Sequence, residues 1–258
     1  MRRPNILLVE DNLLNIKLVS ILFSQNDLIL EVAENGMEAI EKLKARHYDI
    51  ILMDIEMPVM NGYEATRVIR QELKNNIPII AMTAHAQAGE REKCLQIGMN
   101  DYLGKPVDEA LLLRAIYNLT REFVTAGDEA VTAISDRSSL GAGKVCNLDY
   151  LIQSTRGNTS IMNSIIQVFL EETPVVLSAL YDAIEKINYP AISDIAHKLR
   201  TSFSILGITM LEPVFDEMQY LGSNITGIKK IEILNQQVNR VFKQAMEEMN
   251  EDCQTLVA

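Results

Sequence analysis

The sequence predicts two domains of different class: an α/β domain built on a doubly wound, five-stranded parallel sheet, followed by an all-α helix bundle. Three observations carry this. Residues 1–120 alternate short apolar runs with amphipathic stretches, residues 147–258 keep a helical period without a convincing strand, and residues 121–146 show neither pattern. At 258 residues the chain is long enough to bury two separate cores.

In the first domain, candidate strands fall at 5–9, 28–33, 49–53, 78–82 and 100–104, with helices near 12–25, 36–45, 62–73, 89–97 and 108–120. Repeated strand-then-helix order implies a parallel sheet with helices on both faces. The run Ile50-Ile51-Leu52-Met53 is apolar on successive residues, as expected of a strand covered on both sides. Gly36, Gly62 and Gly98 stand in the connections. Residues 121–146 are rich in Thr, Ala, Ser and Gly and read as a flexible linker. Beyond them, helices are expected near 147–154, 158–172, 174–187, 190–206, 210–221 and 227–250, with Pro174 and Pro190 in first turns and Gly157, Gly207 and Gly222 as stops. The last helix aligns Ile231, Leu234, Val238, Val241, Phe242, Ala245 and Met249 on one stripe, the pattern of an antiparallel bundle.

Composition excludes several functions. Net charge is −11, with −4 over residues 1–120 (13 basic, 17 acidic) and −6 over 147–258 (8 basic, 14 acidic), so neither domain offers a nucleic acid a basic surface. Cys94, Cys146 and Cys253 have neither metal-ligand spacing nor the even count of a disulfide framework, which fits a reducing cytoplasm. Met1-Arg2-Arg3 has the charge of a signal-peptide start. The apolar run behind it, Ile6 to Val9, is cut off by Glu10-Asp11 and is too short for a signal or membrane span, so no direct membrane contact is expected of this segment.

Ligands of an open parallel sheet bind outside the carboxyl ends of its strands, where strand order reverses. Strand one ends in Glu10-Asp11, strand three in Asp54 and strand four in Thr83-Ala84, and strand five is followed by Lys105-Pro106. Taken singly, an Asp after a strand is an ordinary helix N-cap and a Lys an ordinary surface charge. Together, three carboxylates, a hydroxyl and an ammonium would share one crevice. Clustered carboxylates repel unless a cation joins them, and oxygen ligands suit Mg²⁺.

The segments ILLVEDN (6–12), ILMDIEMP (51–58) with Asn61-Gly62, MTA (82–84) and Lys105-Pro106 resemble, in order and spacing, the motifs of response-regulator receiver domains. The resemblance covers about 120 residues and implies a flavodoxin-like sheet. It implies Asp54 as the phosphoacceptor, a carboxylate nucleophile toward phosphohistidine. Glu10, Asp11, Asp54 and the backbone carbonyl of Glu56 would hold Mg²⁺; Lys105 and Thr83 would bind the phosphoryl group, with a cis peptide plausible at Lys105-Pro106. Thr83 and Tyr102 match the family's switch pair. Tyr102 reads equally as a tyrosine packed at a strand end. His47 and His85 receive no role.

In the second domain, helix 190–206 carries an apolar stripe of Ile192, Ile195, Ala196, Leu199, Phe203 and Leu206, and His197 lies roughly 150° from its centre at about 100° per residue. An outward-facing histidine is expected there, sharing its face with Ser193, Arg200, Thr201 and Ser204. The segment HKLRTSFSILG (197–207) resembles the signature of histidine phosphotransfer domains through His197, Leu199, Arg200, Leu206 and Gly207. That resemblance implies a phosphorylated His197 with Arg200 beside the phosphoryl oxygens. Thr201 stands where the family usually has glycine, which would narrow partner choice or hinder transfer.

The combined resemblance implies a relay between Asp54 and His197, supplied by a histidine kinase and delivering to the receiver of a downstream response regulator. This domain order is that of the C-terminus of a hybrid sensor kinase; a free-standing relay protein has the same arrangement. The sequence has no ATP-binding kinase core and no DNA-binding output segment. Two other readings stand beside it: a phosphorylation-regulated interaction module whose helical domain no longer transfers, and an aspartate-nucleophile phosphatase. The phosphatase reading wants a second Asp two residues after the nucleophile, where Glu56 stands.

Overall fold

The computed structural model describes residues 3–26, 28–83, 89–120 and 145–256, with side chains as far as Met249. Ala84, His85, the side chain of Cys253 and the expected linker up to residue 144 lie outside the described residues. The chain divides into two compact units, Met1–Ser138 and Ser139–Ala258.

The first unit alternates β1 (Asn5–Val9), α1 (Leu13–Gln25), β2 (Ile29–Ala33), α2 (Gly36–Ala45), β3 (Ile50–Asp54), α3 (Gly62–Gln71), β4 (Ile79–Thr83), α4 (Glu90–Ile97), β5 (Asp101–Gly104) and α5 (Glu109–Thr120). All strand pairs are parallel, in the order β2-β1-β3-β4-β5. Strand β3 is buried throughout because both faces are covered, as its unbroken apolar run requires. Leu7, Val9, Ile51, Met53, Ile79 and Ala81 pack toward α2, α3 and α4, while Ile6, Leu8, Ile50, Leu52, Ile80 and Met82 pack toward α1 and α5. The chain leaves β1 for β2 on one side and then crosses to β3 on the other. Strand order therefore reverses between β1 and β3, and a crevice opens at their carboxyl ends.

The second unit holds α6 (Asp149–Ser154), α7 (Thr159–Glu185), α8 (Tyr189–Ile205), a 3₁₀ turn (Thr209–Leu211), α9 (Glu212–Ser223) and α10 (Ile228–Leu256). Helix α8 packs against α7 and α9, and α10 closes the bundle against the same two helices. Each of the four long helices supplies one phenylalanine to the core. Phe203 of α8 meets Phe169 of α7, Phe215 of α9 and Phe242 of α10 at centroid distances of 5.3, 5.4 and 6.2 Å.

Two boundaries differ from expectation. The stretch expected to form two helices is the single helix α7 (Thr159–Glu185), with Pro174 inside it. Proline costs that helix one backbone hydrogen bond, but an apolar face continuous from Met162 to Ile184 is buried and carries the helix through the break. Val145 and Cys146 are buried, and their N–H groups donate to Glu248 of α10, so ordered packing begins ahead of residue 147.

Candidate phosphoacceptor pocket and the histidine seam

Three loops position the pocket. Asn12 caps α1, its side chain accepting from the N–H of Leu14 at 3.0 Å and of Asn15 at 3.1 Å, which fixes the turn after Glu10-Asp11. A capping box between Asn61 and Glu64 starts α3. Just inside it, Gly62 passes so close to the backbone of Asp54 that a Cβ would stand 2.2 Å from that residue's carbonyl oxygen. Beyond β5, the Lys105-Pro106 peptide is cis.

The carboxylates of Glu10, Asp11 and Asp54 converge, with ligand atoms all within 4.8 Å of one another. Glu10 and Asp54 are buried and Asp11 is half-buried. The ammonium of Lys105, itself 2% exposed, lies 2.7 Å from Glu10 Oε2 and 2.7 Å from Asp54 Oδ2. Burial, reinforced by the charge of Asp54, pushes the Glu10 carboxyl up to about 7 against the pull of Lys105 and Asn15. Burial works against the Lys105 ammonium too, but Asp54 and Glu10 outweigh it and hold the ammonium above its ordinary range.

Thr83 ends β4 as a buried residue, and the N–H of Glu56 donates to Asp54 Oδ1 at 3.3 Å. Tyr102 is partly buried against the core on the α4 side, where burial raises its phenol, with Cys94 and Glu90 adding to the effect. Asn15, which the sequence reading passed over, donates to Glu10 from inside α1. Its signal is positional: it stands one turn beyond the Asn12 cap, on the side of α1 that carries Leu14, Leu18 and Leu22.

His197 departs from expectation. It is 5% exposed rather than outward-facing, and Thr201 is 4% exposed. The angle from its own apolar stripe is that of a polar position, but α9 covers this polar face. The cover is itself polar. Ser193 Oγ approaches Ser223 Oγ at 3.2 Å, Arg200 Nε pairs with Asp216 Oδ1 at 2.8 Å, and Ser204 Oγ approaches Glu212 Oε1 at 3.4 Å. Thr201 turns its hydroxyl back to the carbonyl of His197 at 3.4 Å. His197 thus lies within a polar seam between two helices.

A doubly wound parallel sheet with an acidic crevice and a buried lysine at its switch point defines a receiver-type domain. The family model of the response regulator receiver domain matches residues 6–117, and this first unit is a receiver domain. The relatives extend the likeness. The signal transduction histidine-protein kinase BarA of Escherichia coli K12 is 30% identical over 211 residues, covering 80% of this chain and 22% of that protein. The sensor histidine kinase GacS of Pseudomonas protegens is 28% identical over 215 residues, covering 81% of this chain and 23% of that protein. The chain thus spans less than a quarter of the length of these relatives. Among solved structures, the receiver domain of sensor histidine kinase PA1611 from Pseudomonas aeruginosa, crystallised with a magnesium ion in its active site cleft, is 42% identical. It covers 47% of this chain and 100% of that one, with a TM-score of 0.43.

Proposed function

We propose that the chain is a two-domain phosphorelay module in which Asp54 accepts a phosphoryl group from a phosphohistidine and exchanges it with His197, for delivery to another receiver. The observation that carries the reading is the ion pair between Lys105 and Asp54 inside a pocket of three carboxylates. A carboxylate oxygen of Asp54 attacks phosphorus, a P–O bond forms and the P–N bond to the donor imidazole breaks, the imidazole nitrogen leaving with the bonding pair. In the second transfer the imidazole of His197 attacks and Asp54 leaves as carboxylate.

The pocket's chemistry fits Mg²⁺, held by Glu10, Asp11, Asp54 and the carbonyl of Glu56. The ion would offset charge on the carboxylate and phosphoryl oxygens. In this reading Lys105 would follow the charge onto the phosphoryl group, Thr83 would donate its hydroxyl there, and Tyr102 would respond to that movement. Arg200 would serve the phosphoryl group on His197. The donor would be a histidine kinase, on the same longer chain or separate, and the acceptor a response regulator. A cytoplasmic setting suits Cys94 and Cys146, which are buried and form no disulfide.

One observation favours a second reading. Burial of His197 and Thr201 beneath α9 suits a helical unit that binds partners under control of Asp54 without accepting phosphate itself.

The test is incubation with Mg²⁺ and acetyl phosphate, then mapping of phosphate by mass spectrometry in wild type, Asp54→Asn and His197→Ala, using acid and base lability to separate the two linkages. Label on His197 that vanishes in Asp54→Asn supports the relay. Label confined to Asp54 supports the interaction module, and no label at either residue overturns both.

A further inference from the structure

Asn15 is fully buried, and its amide Nδ2 donates to Oε2 of Glu10. Its place follows from local sequence. The Asn12 cap sets the first turn of α1, and that turn aims residue 15 back at the end of β1. The N–H of Asn12 meanwhile donates to the other Glu10 oxygen, Oε1, at 3.2 Å. Glu10 is therefore gripped on both oxygens by the start of α1, independently of Lys105.

That independence matters because Lys105 is shared. Its ammonium is 2.7 Å from Glu10 and 2.7 Å from Asp54, and both contacts use one Nζ. A phosphoryl group on Asp54 would draw the ammonium toward its own oxygens and away from Glu10. A buried carboxylate that lost its cation with no other donor would be costly. Packing alone gives little reason for an amide here, since the neighbouring inward residues Leu14, Leu18, Val19 and Leu22 are all apolar.

We propose that Asn15 is a positioning residue of the phosphoacceptor pocket: its amide holds the Glu10 carboxylate in ligating orientation, so that Lys105 can pass from Glu10 to a phosphoryl group on Asp54. The inference rests on the reading of Asp54 as phosphoacceptor and of Glu10 as a Mg²⁺ ligand. Partners that orient a metal ligand from behind typically contribute about 10- to 100-fold in metal affinity.

The experiment compares wild type, Asn15→Leu, Asn15→Ala and Asp11→Asn in the full chain. It measures Mg²⁺ dissociation constants by titration calorimetry, melting temperatures in EDTA, and the rate of Asp54 labelling by acetyl phosphate. The expected result is a dissociation constant raised about 10-fold in both Asn15 variants. The leucine variant, which keeps the branched side-chain skeleton of asparagine, should melt within about 4 °C of wild type, a shift corresponding to under about 1 kcal/mol. Labelling should slow in both and be partly restored by excess Mg²⁺. Unchanged Mg²⁺ affinity in either folded variant overturns the role of Asn15 while leaving the chemistry of Asp54 standing. Wild type that binds Mg²⁺ no better than Asp11→Asn overturns both readings together. Loss of fold in both Asn15 variants assigns the residue to structure and also overturns the proposal.

Discussion

Nε of Arg200 lies 2.8 Å from Oδ1 of Asp216, so the guanidinium one turn beyond His197 is already engaged by a carboxylate from the neighbouring helix. Asp216 is 45% exposed, and a pair of this kind contributes about 0.5–1 kcal/mol to stability. Its greater effect would fall on chemistry, because a phosphoryl group on His197 must compete with Asp216 for Arg200. Asp216→Asn is expected to leave the melting temperature within a few degrees and lengthen the phosphohistidine lifetime several-fold, measured by the decay of acid-labile phosphate. An unchanged lifetime would remove Arg200 from the transfer.

Glu10 gives the receiver unit a pH dependence whose sign is set by its raised pKa. Folding carries this carboxyl from an ordinary 4.5 to about 7, through burial first and the charge of Asp54 second. The folded state therefore holds the proton more tightly. The stabilisation is complete below about pH 4.5 and disappears as pH rises through 7. In EDTA the unit should melt lower at pH 8 than at pH 5.5, by up to about 2 kcal/mol of stability, and Glu10→Gln should flatten the profile. Added Mg²⁺ should restore stability at pH 8, where the carboxylate is ionised. A profile unaltered by Glu10→Gln would assign the effect elsewhere.

The receiver was legible in the sequence because two periods alternate there, and because each chemical residue stands beside an apolar run that marks a strand end. Asp54, Thr83 and Lys105 needed no more than that. Asn15 was not legible in the same way, since an asparagine within a helix has no pattern until Glu10 is known to lie behind it. His197 failed for a different reason. The angle of a residue on its own helix reports its relation to one apolar stripe, not whether a second helix covers the opposite side. The matching row on α9, Glu212, Asp216 and Ser223, was the available signal, and it becomes readable only as the antiparallel partner of Ser204, Arg200 and Ser193. Pro174 misled because proline usually marks a first turn, whereas burial along α7 outweighs the lost hydrogen bond.

Two glycines in left-handed conformation separate conformational cost from close approach. Gly157 has φ +71° and open space where a Cβ would stand, whereas Gly207, at φ +67°, would place its Cβ 1.9 Å from the carbonyl oxygen of Asn147. Gly157→Ala should cost the helical unit about 1 kcal/mol, from backbone conformation alone. Gly207→Ala should cost about 3 kcal/mol or more, because the segment at Asn147 must also move. Chemical denaturation of the two variants measures the difference. Equal costs would mean that the chain at Asn147 yields freely.

The start of the helical unit is held by one carboxylate. Glu248 accepts from the N–H of Val145 at 2.9 and 3.0 Å through its two oxygens, and from Cys146 at 3.0 Å. Burial pushes its carboxyl up, but these N–H groups outweigh it and hold the carboxyl below its ordinary range. Ionised Glu248 therefore stabilises the fold above the ordinary carboxylate pKa, and the contribution is lost as pH falls through the lowered value. Glu248→Ala removes all three contacts and leaves two part-buried N–H groups seeking water, at a cost of about 1–2 kcal/mol. Amide exchange at Val145 and Cys146 should rise about 10-fold, which corresponds to about 1.4 kcal/mol, while amides in the middle of α8 change little. Glu248→Gln keeps one acceptor oxygen and should fall between, with its exchange no longer sensitive to acid. Uniform acceleration across all four long helices would instead mean that this contact holds the whole bundle and that residues 145 and 146 do not open separately.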